Sequence, residues 1–398
     1  RNREVREAAW KAYADAFLGL RHTLAANYAG AVASSVFMAR ARGYASAAEA
    51  VLAVDALPRP ILDTTIETVR RHLPIWQRYF RVRGQLLGVE RMHGWDVSEM
   101  PIPRPGRPPA APIAYNDGIE IIAQALAPLG EEYVGVMRRA VAERWIDPLP
   151  SEGKFNGAFS GGSYLTHPFL MLHWHGDIGS VSVLAHELGH SIHSYYTWKH
   201  QPYIYHDYTN FVAETMSNLH QFLLADYLLA TNDDPDTLIN VIEERMGYSV
   251  RYLFNMPLLA RFELDAHAAV ERGEALTADR LVDSMAALYQ EAYGDAVEFD
   301  HGRMGITWAG YPHLYNPFYV FQYATGIAAA ATLARQIREE GAPAIARLLR
   351  LIQAGASADS LDLLLDAGVD MRTSAPLDDA FALLSSYIDR LEAALTRR

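Results

Sequence analysis

Residues 186–190 read His-Glu-Leu-Gly-His. On an α-helix, positions i and i+4 share a face one turn apart, so the imidazoles of His186 and His190 can reach one small ion. Glu187 projects about 100° further round the helix. There it sits beside the ion, where a carboxylate can take a proton from a metal-bound water. Zinc suits nitrogen and oxygen donors in a tetrahedral site with one open position; cobalt or manganese would also fit such donors. The competing reading is an ordinary helix that happens to carry the pattern. Leu184, Ala185 and Leu188 make the rest of this helix apolar, so the polar triplet would then be buried without partners.

A catalytic zinc needs a third protein ligand. Glu214 is the best candidate, 24 residues beyond His190 on a second apolar helix with Phe211, Val212, Met216, Leu219, Phe222 and Leu223. An acidic group there is costly unless paired or bound to metal. His193 shares the face of His186 and His190 but lies about 10 Å along the axis from His186. It is read as a substrate-contact residue or, equally, as a hydrogen-bonded structural histidine. His173 and His175 flank Trp174 on an expected strand, where alternation puts both on one face. No third ligand accompanies them, so they are expected to line or support the site.

The second constellation is residues 308–326, WAGYPHLYNPFYVFQYATG, with Tyr311, Tyr315, Tyr319, Tyr323 and His313. Peptide hydrolysis creates an oxyanion, and neutral donors such as Tyr and His can stabilise it. Tyr319 and Tyr323, four apart, suit one helix face. Aromatic core packing accounts for the same residues equally well.

The elements that must position these groups are mostly helical. Apolar residues recur at three- and four-residue steps from Arg1 to about Gly43, and helices are expected at 45–56, 58–91 and 117–145. Residues 101–112 form a Pro-rich link. Residues 154–175, rich in Gly, Ser and aromatics, are the one region that reads as a small sheet. Helical periods return over 180–196, 207–230, most of 236–294, 318–340, 343–356 and 376–396. The chain is thus mostly α, with a helical part at 1–150, the zinc site at 151–330 and closing helices at 331–398.

The bulk properties narrow the partners. A net charge of −12 over 398 residues argues against nucleic acid or an anionic membrane. No run of about 20 apolar residues predicts a membrane span. The absence of cysteine rules out disulfides and thiolate ligands and is compatible with a cytoplasmic enzyme. The opening Arg-Asn-Arg-Glu-Val-Arg-Glu reads as mid-helix, which leads us to expect a preceding segment or second chain that completes the fold.

With these residues in view, the sequence resembles the thimet-oligopeptidase-like metallopeptidases, most closely the oligoendopeptidase F branch. The resemblance runs through PLGEEYVGVMRRAVAERWID at 128–147, GKFNGAFSGGSYLTHP at 153–168, LAHELGHSIHSYY at 184–196, QPYIYHDYTNFVAE at 201–214 and the 308–326 stretch, in the same order. It implies a helical zincin-type fold with a deep cleft, and one zinc held by His186, His190 and Glu214. It also implies Glu187 as base and acid, His313 and Tyr319 at the substrate or oxyanion, and Tyr315 as a further contact; Tyr323 and His193 complete the expected substrate-binding set. The expected reaction is endopeptidase hydrolysis of short unstructured peptides. A non-catalytic peptide binder on the same scaffold and a zinc hydrolase of non-peptide amides are the alternatives. Four positions depart from the branch: His220-Gln221 replaces Asn-Glu, Gly310 replaces Arg, Leu165 replaces an acidic residue, and Gly162 replaces an aromatic.

Overall fold

The computed structural model describes residues 2–97, 111–155 and 157–396. Of the Pro-rich link, 101–110 lies outside the described residues, and Ala111 and Pro112 have no regular structure. The chain divides into two compact units, one built from residues 1–100, 247–324 and 372–396, the other from 101–246 and 325–371.

The first unit opens with α1 (Arg3–Gly19), α2 (Arg21–Ala41), α3 (Ala47–Leu52), α4 (Arg59–Arg71) and α5 (Leu73–Leu87). The helical period expected across 1–43 is interrupted at Leu20, and that of 58–91 at His72, ahead of Pro74. Proline is tolerated in a helix's first turn, where its missing N–H is not needed. The second unit contains α6 (Tyr115–Leu126), α7 (Glu131–Ala142), β1 (Ile146–Asp147), β2 (Phe159–Gly161), β3 (Phe169–Met171), α8 (Ile178–His200), α9 (Asn210–Thr231) and most of α10 (Pro235–Ser249). The expected helix over 117–145 is two helices, because Pro128 and Gly130 (φ 99°) cannot continue the first.

The chain then returns to the first unit for α11 (Met256–Glu271), α12 (Ala278–Tyr293) and α13 (His301–Gly305). After α14 (Phe321–Glu340), α15 (Ala342–Ala354) and α16 (Ser360–Asp366) belong to the second unit and α17 (Ala375–Leu395) to the first. A single π-helical turn, Val250–Asn255, leads into α11. Pro257 follows it and cannot donate to the carbonyl four residues earlier, a mismatch that a wider turn absorbs. Within the first unit α11 packs on α2, α4 and α12, and α5 packs on α12 and α17.

In the second unit the sheet order is β1-β3-β2, with β1 parallel and β2 antiparallel to β3. Two strands fall inside the region expected to be extended; β1 lies before it. Helix α8 starts at Asp177, whose carboxylate accepts from the Ser180 N–H at 2.8 Å. It packs against α9, α15, β2 and β3. Leu184, Ala185, Leu188 and Ile192 are fully buried. A helix enclosed on nearly all sides leaves its polar residues only protein partners or a bound ion.

No helix among the described residues is long and apolar enough to cross a membrane. The first helix is tied down by charge. Asp96 is fully buried and accepts from Arg3 at 2.8 Å and Arg6 at 3.0 Å. Burial alone would raise its carboxyl, but these bonds and the His93 N–H hold it below its ordinary value. Its stabilisation is therefore complete above the ordinary carboxylate pKa of 3.8 and is lost as pH falls through the lower folded-state value. Asp96→Ala should destabilise the protein at neutral pH by about 2–4 kcal/mol, read by urea denaturation, with the deficit shrinking as pH falls below the ordinary carboxylate pKa of 3.8.

Candidate metal centre

The motif helix needs a close neighbour to supply a third ligand, and two glycines permit it. A Cβ on Gly189 would lie 2.6 Å from Ser217 Cα and 2.7 Å from the Met216 carbonyl oxygen, so α8 and α9 meet backbone to backbone. A Cβ on Gly326 of α14 would lie 2.6 Å from the Glu214 Cβ. Glu214 is thereby held from behind against α8.

This contact brings His186, His190 and Glu214 together. The Nε2 atoms of the two histidines are 3.2 Å apart, and Glu214 Oε2 is 3.5 Å from His186 Nε2 and 3.8 Å from His190 Nε2. A tetrahedral ion with bonds of about 2.0–2.2 Å separates its ligand atoms by roughly 3.3–3.6 Å. The three separations bracket that range, so shifts of a few tenths of an ångström would let these donors hold one such ion. Other groupings of three or more His, Asp or Glu donors this close do not occur among the described residues.

The ring tautomers agree with this fit. His186 Nδ1 lies 3.0 Å from Gln221 Oε1, so it donates and leaves Nε2 as a lone pair. His190 is hydrogen-bonded to the Ala213 backbone. Burial pushes the His186 imidazole down to about 4 and also lowers His190, so both rings are neutral at pH 7. Two neutral nitrogens facing each other at 3.2 Å with a carboxylate beside them are a donor set that could hold a cation.

Glu187 is 6% exposed, and its Oε2 has no hydrogen-bond partner among the described residues. Burial, then the charge of Glu214, pushes its carboxyl up to about 8. A carboxyl in that range can take and return a proton near neutral pH.

The supporting layer was the part least visible in sequence. Gln221 donates from Nε2 to Ser182 Oγ at 2.8 Å, and Ser182 Oγ also accepts from Arg245 at 3.0 Å. The chain Arg245–Ser182–Gln221–His186 fixes the first imidazole. Its one sequence signal is that Gln221 follows Glu214 by seven residues, two turns along the same face of α9. Its neighbour His220 is packed behind α8, between Tyr133 Oη (2.7 Å) and the Ala185 carbonyl (3.0 Å).

The other expected residues fall as follows. His193 is 2% exposed, stacks on Tyr208 with ring centroids 3.8 Å apart, and is pushed down to about 3, mainly by burial. The expected strand through His173 and His175 ends at Met171; the two rings lie parallel in the following connection, 6.5 Å apart, and His173 Nε2 bonds the Phe155 carbonyl. In the first unit, His313 and Tyr319 have nearly parallel rings 6.4 Å apart, and Tyr319 donates to Tyr323 Oη at 2.8 Å. The two tyrosines meet although α14 begins only at Phe321, so Tyr319 precedes the helix expected to present it. His313 is held down by burial and by Arg251, and its Nδ1 has no partner among the described residues. Tyr315 is half exposed and packs edge-on to Tyr28.

Two of the departures have packing explanations. A Cβ on Gly162 would meet the Trp198 ring at 2.8 Å, and one on Gly310 would meet the Tyr13 hydroxyl at 3.0 Å. Those aromatic side chains occupy the space that a larger residue would need. Leu165 is 88% exposed at φ 71°, and nothing in the structure explains it.

Two histidines a turn apart, closed by a carboxylate from the next helix and flanked by a glutamate, make this a candidate metal centre on a helical scaffold. The chain matches Peptidase family M3 over residues 1–383 and belongs to that family. It is 35% identical to oligopeptidase PepF of Bacillus subtilis, over all of this chain and 58% of that protein. It is 34% identical to an oligoendopeptidase F homolog of Lactococcus lactis, over 98% of this chain and 64% of the other. Among solved structures it superposes on oligoendopeptidase-F from Enterococcus faecium with a TM-score of 0.79 at 30% identity, covering all of this chain and 64% of that one. A chain from Chlamydophila abortus superposes with a TM-score of 0.89 at 32% identity, covering 98% and 65%. The chain therefore spans a little under two thirds of the length of these relatives.

Gly189→Ala should separate α8 from α9, costing about 1–3 kcal/mol in stability and lowering metal affinity. Gln221→Leu should weaken zinc binding by about 10- to 100-fold, measured by competition with a chromophoric chelator. Wild-type zinc affinity in both variants would contradict the assigned geometry.

Proposed function

We infer that the protein is a zinc-dependent endopeptidase of short, unstructured peptides, with His186, His190 and Glu214 as ligands and Glu187 as general base and acid. The observation that carries this reading is the donor triangle of 3.2, 3.5 and 3.8 Å with the buried Glu187 carboxyl beside it. Zinc bound there would supply Lewis acidity to a scissile carbonyl and to the attacking water. Glu187 takes the water proton and returns it to the leaving amine, the exchange for which a carboxyl tuned toward neutrality is suited. The His186–Gln221 bond keeps the first imidazole in the tautomer that offers Nε2 outward.

Peptide as substrate is supported by the names of the relatives, which are oligopeptidases and oligoendopeptidases. It is also supported by strand β2. That strand pairs only with β3 among the described residues and is joined to α8 by a 2.7 Å bond between Ser160 Oγ and Ser191 Oγ, next to His190. An open strand edge can pair with the backbone of an extended peptide of any sequence. His313 and Tyr319 are assigned to the developing oxyanion, and Tyr315 and Tyr323 to secondary roles around the substrate, while the buried His193 takes the structural role, stacked on Tyr208. A neutral His313 and a phenol donate hydrogen bonds without adding a fixed charge, which suits an oxyanion that exists only transiently. A cytoplasmic setting belongs to the same reading, on the strength of the cysteine-free composition.

Glu187→Gln should retain one zinc per chain and lose turnover of an internally quenched peptide by about 10²- to 10⁴-fold. Undiminished turnover in that variant would sink the mechanism. Tyr319→Phe should lower kcat by about 10²-fold or more with zinc content unchanged, and a strong chelator should abolish cleavage by the native protein.

A further inference from the structure

The first unit buries a carboxyl that the reaction above does not use. Glu263, on α11, is 1% exposed. A buried acid is costly, and an apolar residue of similar size would serve the packing better. Its Oε1 accepts from the Phe318 backbone N–H at 2.7 Å, while Oε2 finds no partner among the described residues.

Phe318 is itself unusual. Its φ is 53°, the left-handed region that glycine and asparagine favour and a bulky residue resists. It follows Pro317 in a turn and immediately precedes Tyr319. Two residues one turn apart on α11 clamp it. Glu263 takes the N–H, and His267 packs its ring against the Phe318 ring with centroids 4.6 Å apart. His267 is in turn locked by donation from Nδ1 to the Glu263 carbonyl at 2.8 Å. Phe318 is 1% exposed, so its side chain is sealed in the core while its backbone is strained. A strained residue persists only where its surroundings over-determine it. The next residue along is Tyr319, whose hydroxyl meets Tyr323 and whose ring parallels His313.

We propose that Glu263 is a positioning residue: its carboxyl oxygen holds Phe318 in the left-handed conformation from which Tyr319 is presented. This rests on the reading of Tyr319 as an oxyanion contact. Burial pushes the Glu263 carboxyl up to about 8, so an uncharged acceptor is sufficient for the task. Moving the acceptor, rather than removing its charge, is therefore the damaging change.

The test compares Glu263→Asp, which withdraws the acceptor by one methylene, with Glu263→Gln, which keeps a carbonyl oxygen at the same reach. Both are checked for zinc content and thermal midpoint. Glu263→Asp should lower kcat by about 10- to 100-fold with little change in KM, since displacement of a transition-state contact costs the chemical step. Glu263→Gln should stay close to wild type. In the Tyr319→Phe background Glu263→Asp should cost nothing further, because its effect passes through that hydroxyl. Should the aspartate variant not fold, Glu263→Leu, which fills the same space without an acceptor, takes its place with the same expected loss. Wild-type kcat in the folded variant, equal impairment by glutamine, or full additivity with Tyr319→Phe would each overturn the proposal while leaving the reading of Tyr319 intact. Wild-type turnover by Tyr319→Phe alone would instead defeat that reading, and the positioning role with it.

Discussion

The candidate metal centre depends on two helix backbones touching at Gly189. Helices separated by ordinary side chains pack about 8–10 Å apart. With hydrogen in place of Cβ, α8 and α9 close until Ser217 Cα would clash with any larger residue. Gly326 repeats the device behind Glu214. The donor triangle follows from that proximity, and the Gln221 bond from α9 to His186 follows from it too.

Close packing also sets the electrostatics. The same burial that lowers both ligand imidazoles raises Glu187. Neutral nitrogens and a carboxyl of raised proton affinity are thus products of one cause, the enclosure of α8. The chain Arg245–Ser182–Gln221 occupies His186 Nδ1, so that imidazole is oriented by protein contacts alone.

In the first unit a different device operates on a shorter stretch. The Phe318 turn is a local departure from favoured backbone geometry, and α11 supplies both the acceptor and the ring that hold it. Tyr319 and Tyr323 consequently meet through a turn followed by a helix, whereas their spacing alone suggested a common helix face.

The candidate ligand set was legible in the sequence because a helix has a fixed period: four residues separate His186 from His190 whatever surrounds them, and an acid among the apolar residues of α9 needs a reason to be there. The helical class was legible for the same reason, while breaks at Leu20, His72 and Pro128-Gly130 needed turn chemistry to be weighed against a continuing period. Tertiary structure decided what sequence distance conceals. The strand through His173 and His175 stopped at Met171, β1 paired from outside the expected region, and His193 became a stacked core ring. Gln221 stood out in the sequence only as a departure from the branch, and its bond to His186 exists because α9 lies against α8. Glu263 and Phe318, 55 residues apart, carried no pattern at all. Periodicity encodes which residues share an element's face; which faces meet, and how closely, depends on packing between elements far apart in the chain.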